Sequence, residues 1–272
     1  MRRAPAPAKL NLALVVGPRG ENGKHELCTV YQRIDLCDRV SLEPAPSLEV
    51  HGFVDDTLVG AALELLASRA GVELRWSVRL TKRIPVAAGL GGGSSDAATA
   101  LRLANETLAE PFDLPQLQAL ASELGADVPF FLTSGPQLGE GDGSRLTPLD
   151  LPQDYWVVVV LPRGVTKGST AAVYERFDAR NGANGWEARR DELLTRLAEV
   201  RRPRDLAALP PNDLARSPVA ERLCAVGAFR ADVTGAGSAV YGLFHHRAAA
   251  EAARRELAPD GGTWVTLPAW YV

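Results

Sequence analysis

The stretch from Thr81 to Asp96 constrains this chain most, because four of the five residues from Gly89 to Gly93 are glycine and Ser94 and Ser95 follow directly. Glycine lacks a Cβ, so it brings backbone N–H groups close to a ligand through φ values that other residues avoid. On sequence grounds such density serves an anion rather than packing. Upstream, Leu74, Trp76, Val78 and Leu80 alternate with Arg75, Ser77, Arg79 and Thr81, the pattern of a strand. Downstream, Asp96 to Asn105 is rich in helix formers. That order puts glycines and serines at a helix N-terminus, where unpaired N–H groups and the positive dipole end face a phosphate. Ser94 and Ser95 are then either helix caps or donors to phosphate oxygens.

Neither of the two common glycine loops fits. A Walker A loop closes on Gly-Lys-Ser/Thr, and no lysine follows Gly93; the dinucleotide fingerprint needs glycine where Ser94 stands. The run Pro85, Val86, Ala87, Ala88, Gly89, Leu90, Gly91, Gly92, Gly93, Ser94, Ser95 instead closely resembles the phosphate loop of the GHMP small-molecule kinases, which include galactokinase, homoserine kinase and mevalonate kinase. The resemblance implies an α+β, two-lobed GHMP kinase fold with a mixed N-terminal α/β lobe and a ferredoxin-like C-terminal lobe. It also implies that these eleven residues bind ATP, with Mg2+ to neutralise the phosphates.

Length and composition allow this. A chain of 272 residues, 46% hydrophobic and 23% charged, suits two lobes of a globular protein. A net charge of -3 argues against a nucleic-acid partner, which needs a concentrated basic surface. Cys28, Cys37 and Cys224 are odd in number and lack Cys-x-x-Cys spacing, so neither a disulfide framework nor a thiolate zinc site is expected, and a reducing cytoplasm fits. Lys9 and Asn11 interrupt the first apolar run, which argues against a signal peptide, and no stretch approaches membrane-span length. Only four of the 30 basic residues are lysine: Lys9, Lys24, Lys82 and Lys167. In an arginine-biased chain each lysine marks a place to look for a compact ammonium.

In order along the chain, residues 8–16 read as a strand with Leu10, Leu12, Leu14 and Val16 on one face and Lys9 and Asn11 on the other. From pattern alone the polar pair is equally the solvent face of an edge strand. A turn at 17–23 leads to two paired strands, 27–34 and 39–42, around Asp38, then a short strand at 48–51. Asp55 and Asp56 cap a helix with an apolar stripe ending at Gly71. Asp113 with Pro115 opens a helix to about Leu124. Asp127 follows, lodged between Ala126 and the apolar Val128, Phe130 and Phe131; burying an unpaired carboxylate is costly, so it is either a turn or cap residue or a chemical one. Residues 135–147 read as a glycine-rich hairpin.

The pattern changes near Asp154, giving lobes at 1–153 and 154–272. The second carries a strand at 155–161, helices at 169–177, 187–200 and 212–226, strands at 229–234 and 239–244, a helix at 247–257 and a strand at 263–267. Without the inserted helices this is the β-α-β-β-α-β order of a ferredoxin-like lobe. A second glycine turn, Gly235 to Ser238, joins its middle strands, either as a plain hairpin or as a neighbour of the first.

The Lys9-Leu10-Asn11 strand, the Gly23-Lys24-His25 turn and Gly125 to Phe131 are similar to one branch of the GHMP kinases, nearly end to end. That branch phosphorylates the 2-hydroxyl of a cytidine diphosphate-linked methylerythritol in the non-mevalonate route to isoprenoid precursors. The resemblance implies Asp127 as general base with Lys9 beside it to favour the carboxylate and steady the alkoxide. It implies a substrate pocket of Asn11, His25, Tyr31, Thr170 and Tyr174, with aromatic rings flanking the base and His25 reading its edge. Two positions depart from the pattern: Lys24 replaces a tyrosine before the histidine, and Thr57 replaces an asparagine near the adenine. A kinase for another alcohol, such as homoserine or mevalonate, and a non-catalytic nucleotide-binding module remain the competing readings. A monomer or homodimer is expected.

Overall fold

The computed structural model describes residues 1–21, 23–53, 57–73, 75–164 and 169–270. Its elements run β1 (Arg2–Arg19), β2 (His25–Pro44), β3 (Glu49–His51), α1 (Thr57–Ala70), β4 (Trp76–Thr81), α2 (Gly92–Asn105), α3 (Leu114–Leu124), β5 (Gln137–Gly141) and β6 (Arg145–Pro148). There follow β7 (Trp156–Pro162), α4 (Thr170–Ala179), α5 (Trp186–Glu199), α6 (Pro218–Ala225), β8 (Arg230–Val233), β9 (Val240–Phe244), α7 (Arg247–Leu257) and β10 (Gly261–Thr266).

Two sheets organise these elements, as the α+β expectation requires. In the first, β2 is the axis: β1 pairs along one side of it, while β4 and β5 meet the two halves of the other side. Pro5 and Pro7 are tolerated in β1 because its second edge has no strand partner to receive a donated N–H. In the second sheet the order β10-β7-β9-β8, antiparallel throughout, is the ferredoxin-like arrangement. One apolar core lies between the first sheet and α1, α2 and α3; another joins β1 and β2 to β7, β9 and α5; a third lies between the second sheet and α6 and α7. Because β1 is covered on both faces, residues 6–17 are all buried.

Three expectations change. The strands foreseen at 27–34 and 39–42 are one continuous β2, since a bulge opposite Pro7 and Ala8 absorbs Asp35 and Leu36 without ending the pairing. The phosphate-loop helix begins at Gly92, not near Asp96, so both serines lie inside it. The third helix of the second lobe covers only Pro218–Ala225, because Pro218 disfavours helical backbone at the residue before it and Ser217 caps the start through its Oγ, 3.3 Å from Val219 N. Asp55, Asp56 and Leu74, and the Thr57 side chain, lie outside the described residues. By contrast, Asp113 caps α3 through Gln116 in a complete capping box, and Ser169 caps α4. No helix of the described chain is long and apolar enough to cross a membrane.

Candidate active site

The site grows from the turn that follows β4. Asp38, fully buried on β2, accepts hydrogen bonds from Arg83 N and Ile84 N (2.5 and 2.8 Å), fixing the chain just before Pro85. On the far side the loop is sewn down twice: Lys9 N donates to Leu90 O and Ala239 N to Ala88 O, each at 2.9 Å. Between these anchors Ala87 takes φ 56° and Gly89 φ 84°. Gly91 (φ 71°) is the N-cap of α2, and Ser95 N donates to its carbonyl at 2.9 Å. Here the ligand-only reading of the glycines is corrected. A Cβ on Gly89 would stand 2.3 Å from Thr234 O, and one on Gly91 2.9 Å from the Phe131 ring, so both are needed for close packing. Gly93 has nothing within 4 Å of where its Cβ would be. The Gly235 turn therefore does meet the first glycine loop.

The catalytic candidates converge beside that loop. Lys9 and Asn11 point the same way from β1, as alternation requires, but they are buried at 4% and 3% exposure, which removes the edge-strand alternative. The bulge between Asn11 and Ala13 ends that alternation just past the pair. Lys9 Nζ donates to Asn11 Oδ1 (2.7 Å), stands 3.5 Å from Asp127 Oδ2 and lies 5.5 Å from the centre of the Tyr31 ring. Tyr31 OH donates to Asp127 Oδ1 at 3.1 Å. Burial, then the Asp127 charge, hold the Tyr31 pKa well above its ordinary value, so the phenol keeps the proton it donates. Asn11 is pinned in turn, its Nδ2 on Thr29 Oγ1 (2.7 Å) and its N–H on Thr234 Oγ1 (3.0 Å). Asp127 itself sits just before the 3-10 turn Pro129–Leu132, on a peptide segment whose buried aromatic residues lock its direction.

A cavity of about 590 Å³ is lined by Lys9, Asn11, Tyr31, Asp127, Thr170, Tyr174 and every loop residue from Pro85 to Ser94. Two predicted site residues stand back from it. Ser95 is fully buried in α2, with an Oγ that has no partner, and neither serine caps the helix. His25 lies behind Tyr174, stacked on its ring at 5.0 Å and 25°. Its Nδ1 donates to Gly17 O (2.8 Å), and Nε2 is 3.2 Å from Asp178 Oδ1, within ion-pair range but not aligned as a hydrogen bond. Burial, then the Asp127 charge, push Tyr174 up to about 12.

Sequence reasoning missed three participants. Lys82 bridges Asp38 and Asp96, two fully buried carboxylates, and lines the cavity. Burial works against its charge, but the two carboxylates outweigh it and raise its pKa. The scarcity of lysine was the available signal, since Lys9, Lys24 and Lys82 all make specific ion pairs. Asp142, also on the cavity wall, accepts from Lys24 Nζ (2.7 Å) and Ser144 Oγ (2.6 Å). Burial alone would raise its pKa, yet these donors hold it below the usual value. Asn212, the third, donates to Val233 O and Gly235 O (2.9 and 2.7 Å) and so shapes the second glycine turn.

The glycine loop at the start of α2 faces the Lys9–Asp127 pair across one cavity, and the profile of the GHMP kinases N terminal domain matches residues 57–135. A crystal structure of mevalonate kinase shares the fold at a TM-score of 0.77 with 12% identity over 98% of this chain and 99% of that one. Similarity is much higher to 4-diphosphocytidyl-2-C-methyl-D-erythritol kinases: 39% identity to that of Anaeromyxobacter sp. (strain Fw109-5), over 94% of this chain and 86% of the relative, and 37% to that of Geobacter sp. (strain M21), over 94% of each. A crystal structure of 4-(cytidine 5'-diphospho)-2C-methyl-D-erythritol kinase superposes with a TM-score of 0.80 at 35% identity, covering 98% of this chain and all of that one. The chain belongs to the 4-diphosphocytidyl-2-C-methyl-D-erythritol kinase family.

Proposed function

We propose that this protein transfers the γ-phosphoryl group of ATP to the 2-hydroxyl of 4-diphosphocytidyl-2-C-methyl-D-erythritol. One observation carries the reading: Lys9, Asp127 and Tyr31 meet within hydrogen-bond and ion-pair distance on the wall of the cavity that the glycine loop also lines. Residues Pro85 to Ser95 cradle the triphosphate through backbone N–H groups and the N-terminus of α2. Asp127 takes the proton of the acceptor hydroxyl as that oxygen attacks the γ-phosphorus and the bond to the departing ADP oxygen breaks. The Lys9 ammonium steadies the negative charge developing there, and Tyr31 keeps the Asp127 carboxylate aimed.

Among the described residues no group of three or more His, Cys, Asp or Glu side chains fits a metal. Mg2+ arriving with the phosphates would offset their charge; the Ser95 hydroxyl, unpartnered among the described residues but fully buried and outside the cavity lining, would hold it only if the first turn of α2 opened toward the cavity. In the acceptor pocket Asn11 acts through Lys9, Thr170 and Tyr174 form the wall, and His25 backs Tyr174. For His25 to read a base edge, its Nε2 has to exchange Asp178 for the ligand. On the same reading the lobes divide at 153/154, and the enzyme works in the cytoplasm as a monomer or homodimer.

The deciding measurement is acceptor-dependent ADP release from Mg-ATP, with the cytidine diphosphate compound, mevalonate and homoserine in parallel. Turnover with the first is the expected result; turnover confined to either of the others overturns the assignment.

A further inference from the structure

Away from the active site, the outer face of the first sheet carries a groove of about 740 Å³ whose lining includes Arg3, Arg39, Arg79 and Arg83. Strand register brings them together. Arg3 on β1 and Arg79 on β4 both lie opposite Ser41 of β2, and Arg39 is the next β2 residue on the same face. All four side chains are exposed. Elsewhere this chain pairs its surface arginines with acids: Arg2 with Glu106, Arg19 with Asp178, Arg69 with Glu123, Arg222 with Asp260. Here, among the described residues, the side chains of Arg39, Arg79 and Arg83 have no hydrogen-bond or ion-pair partner, and Arg3 reaches only Met1 Sδ. One acid, Asp35, stands in the lining. Cations gathered this closely repel one another, and 33 acidic residues were available to neutralise them.

We propose that this groove is a second anion site, for a small ligand carrying two or more linked phosphates. Guanidinium forks match phosphate oxygens two at a time, and four forks in a space the size of one small molecule suit a compact multiple anion. An extended nucleic acid would also want aromatic faces for its bases, and the lining has none. The groove also backs onto the root of the phosphate loop, since Arg83 is itself held by Asp38.

Calorimetric titration of the full chain with tripolyphosphate tests this. The glycine loop offers a phosphate site in every variant, so the groove is isolated by comparing wild type with Arg39→Ser/Arg79→Ser, two exposed and unpartnered positions; equal melting temperatures establish that both are folded. Wild type is expected to show one more site than the variant, weakened at least tenfold when salt rises from 50 to about 300 mM, as screened surface charges require. Parallel titrations with ATP separate free polyphosphate from nucleotide as the source: equal affinity means that phosphates alone are read, and tighter ATP binding means that a base is read too. Identical isotherms for wild type and variant overturn the proposal, as does an extra site filled by poly-glutamate or an oligonucleotide but not by tripolyphosphate.

Discussion

The four loop glycines are separable by substitution. At Gly89 a methyl group would lie 2.3 Å from Thr234 O and 3.0 Å from Gly237 O, at a φ of +84°. Ordinary non-bonded contacts lie near 3.5 Å, so the β8–β9 turn has to retreat by about 1 Å. The left-handed backbone costs about 1–2 kcal/mol for a residue with a Cβ. Retreat also strains the Ala239 N to Ala88 O bond, and an orphaned buried partner costs about 1–3 kcal/mol. Together these put Gly89→Ala at about 2–5 kcal/mol, a melting temperature lower by roughly 10 °C for a chain of this size. Gly93→Ala differs in every respect: it lies in the first turn of α2, has open space around it and lines the cavity. Replacing glycine by alanine in a helix favours folding by about 0.5–1 kcal/mol, so its melting temperature should hold or rise slightly. Its methyl group, however, occupies space that a phosphate oxygen needs, and the KM for ATP should rise about tenfold, about 1.4 kcal/mol of lost binding. Calorimetric melting and steady-state kinetics on both variants decide the matter. If Gly93→Ala keeps the wild-type KM, or Gly89→Ala melts with wild type, the division into packing and ligand glycines is wrong.

Asp127→Asn keeps the shape of the acid but removes its basicity, so turnover at saturating substrates should fall by about 10²–10⁴ while ATP affinity stays within a few-fold; near-normal turnover would contradict the general-base role. Lys24→Met should show a pH-dependent loss of stability. The Asp142 pKa is held below its ordinary 3.8, so the pair stabilises the fold above about pH 4 and ceases to as pH falls through the folded value. Because Lys24 is more than half exposed, the deficit at neutral pH should stay under about 1 kcal/mol. Melting curves of the two proteins should converge as the pH falls below the folded-state value, and a constant gap would rule out this carboxylate.

How far the sequence was legible depended on whether a feature was decided locally. The Asp113 cap with Pro115 behind it, the helix start at Ser169 and the alternation in β4 rest on residues a few positions apart, and each appears where expected. The start of α2 did not, because glycine is the poorest ordinary helix former, and its low propensity was overruled by the left-handed Gly91 cap and the packing of the first turn against Ile84. Asp38 looked like a break between two strands; its meaning comes from β4, whose end it grips through Arg83 and Ile84. Lys9 and Asp127 were picked as partners by resemblance, since nothing local links β1 to the turn after α3. His25 was assigned its base-reading role by resemblance alone; in the structure its Nδ1 donates to Gly17 O and its Nε2 stands 3.2 Å from Asp178 Oδ1, a neighbour that no local pattern foretells.

The phosphate loop owes its shape to residues far from it. Lys9 N and Ala239 N hold its two carbonyls, Asp38 holds its entry, and Thr234 O sets how close Gly89 approaches the second sheet. Thr234 also accepts the Asn11 N–H, and Asn11 in turn receives the Lys9 ammonium, so one hydroxyl ties the β8–β9 turn to the lysine that faces Asp127. The loop and the Lys9–Asp127 pair are therefore registered against each other through β1, which bonds the loop directly at Lys9 N. On the proposed function the burial of β1 on both faces has a use, because in-line transfer would need the glycine loop and the Asp127 carboxylate held in one fixed register.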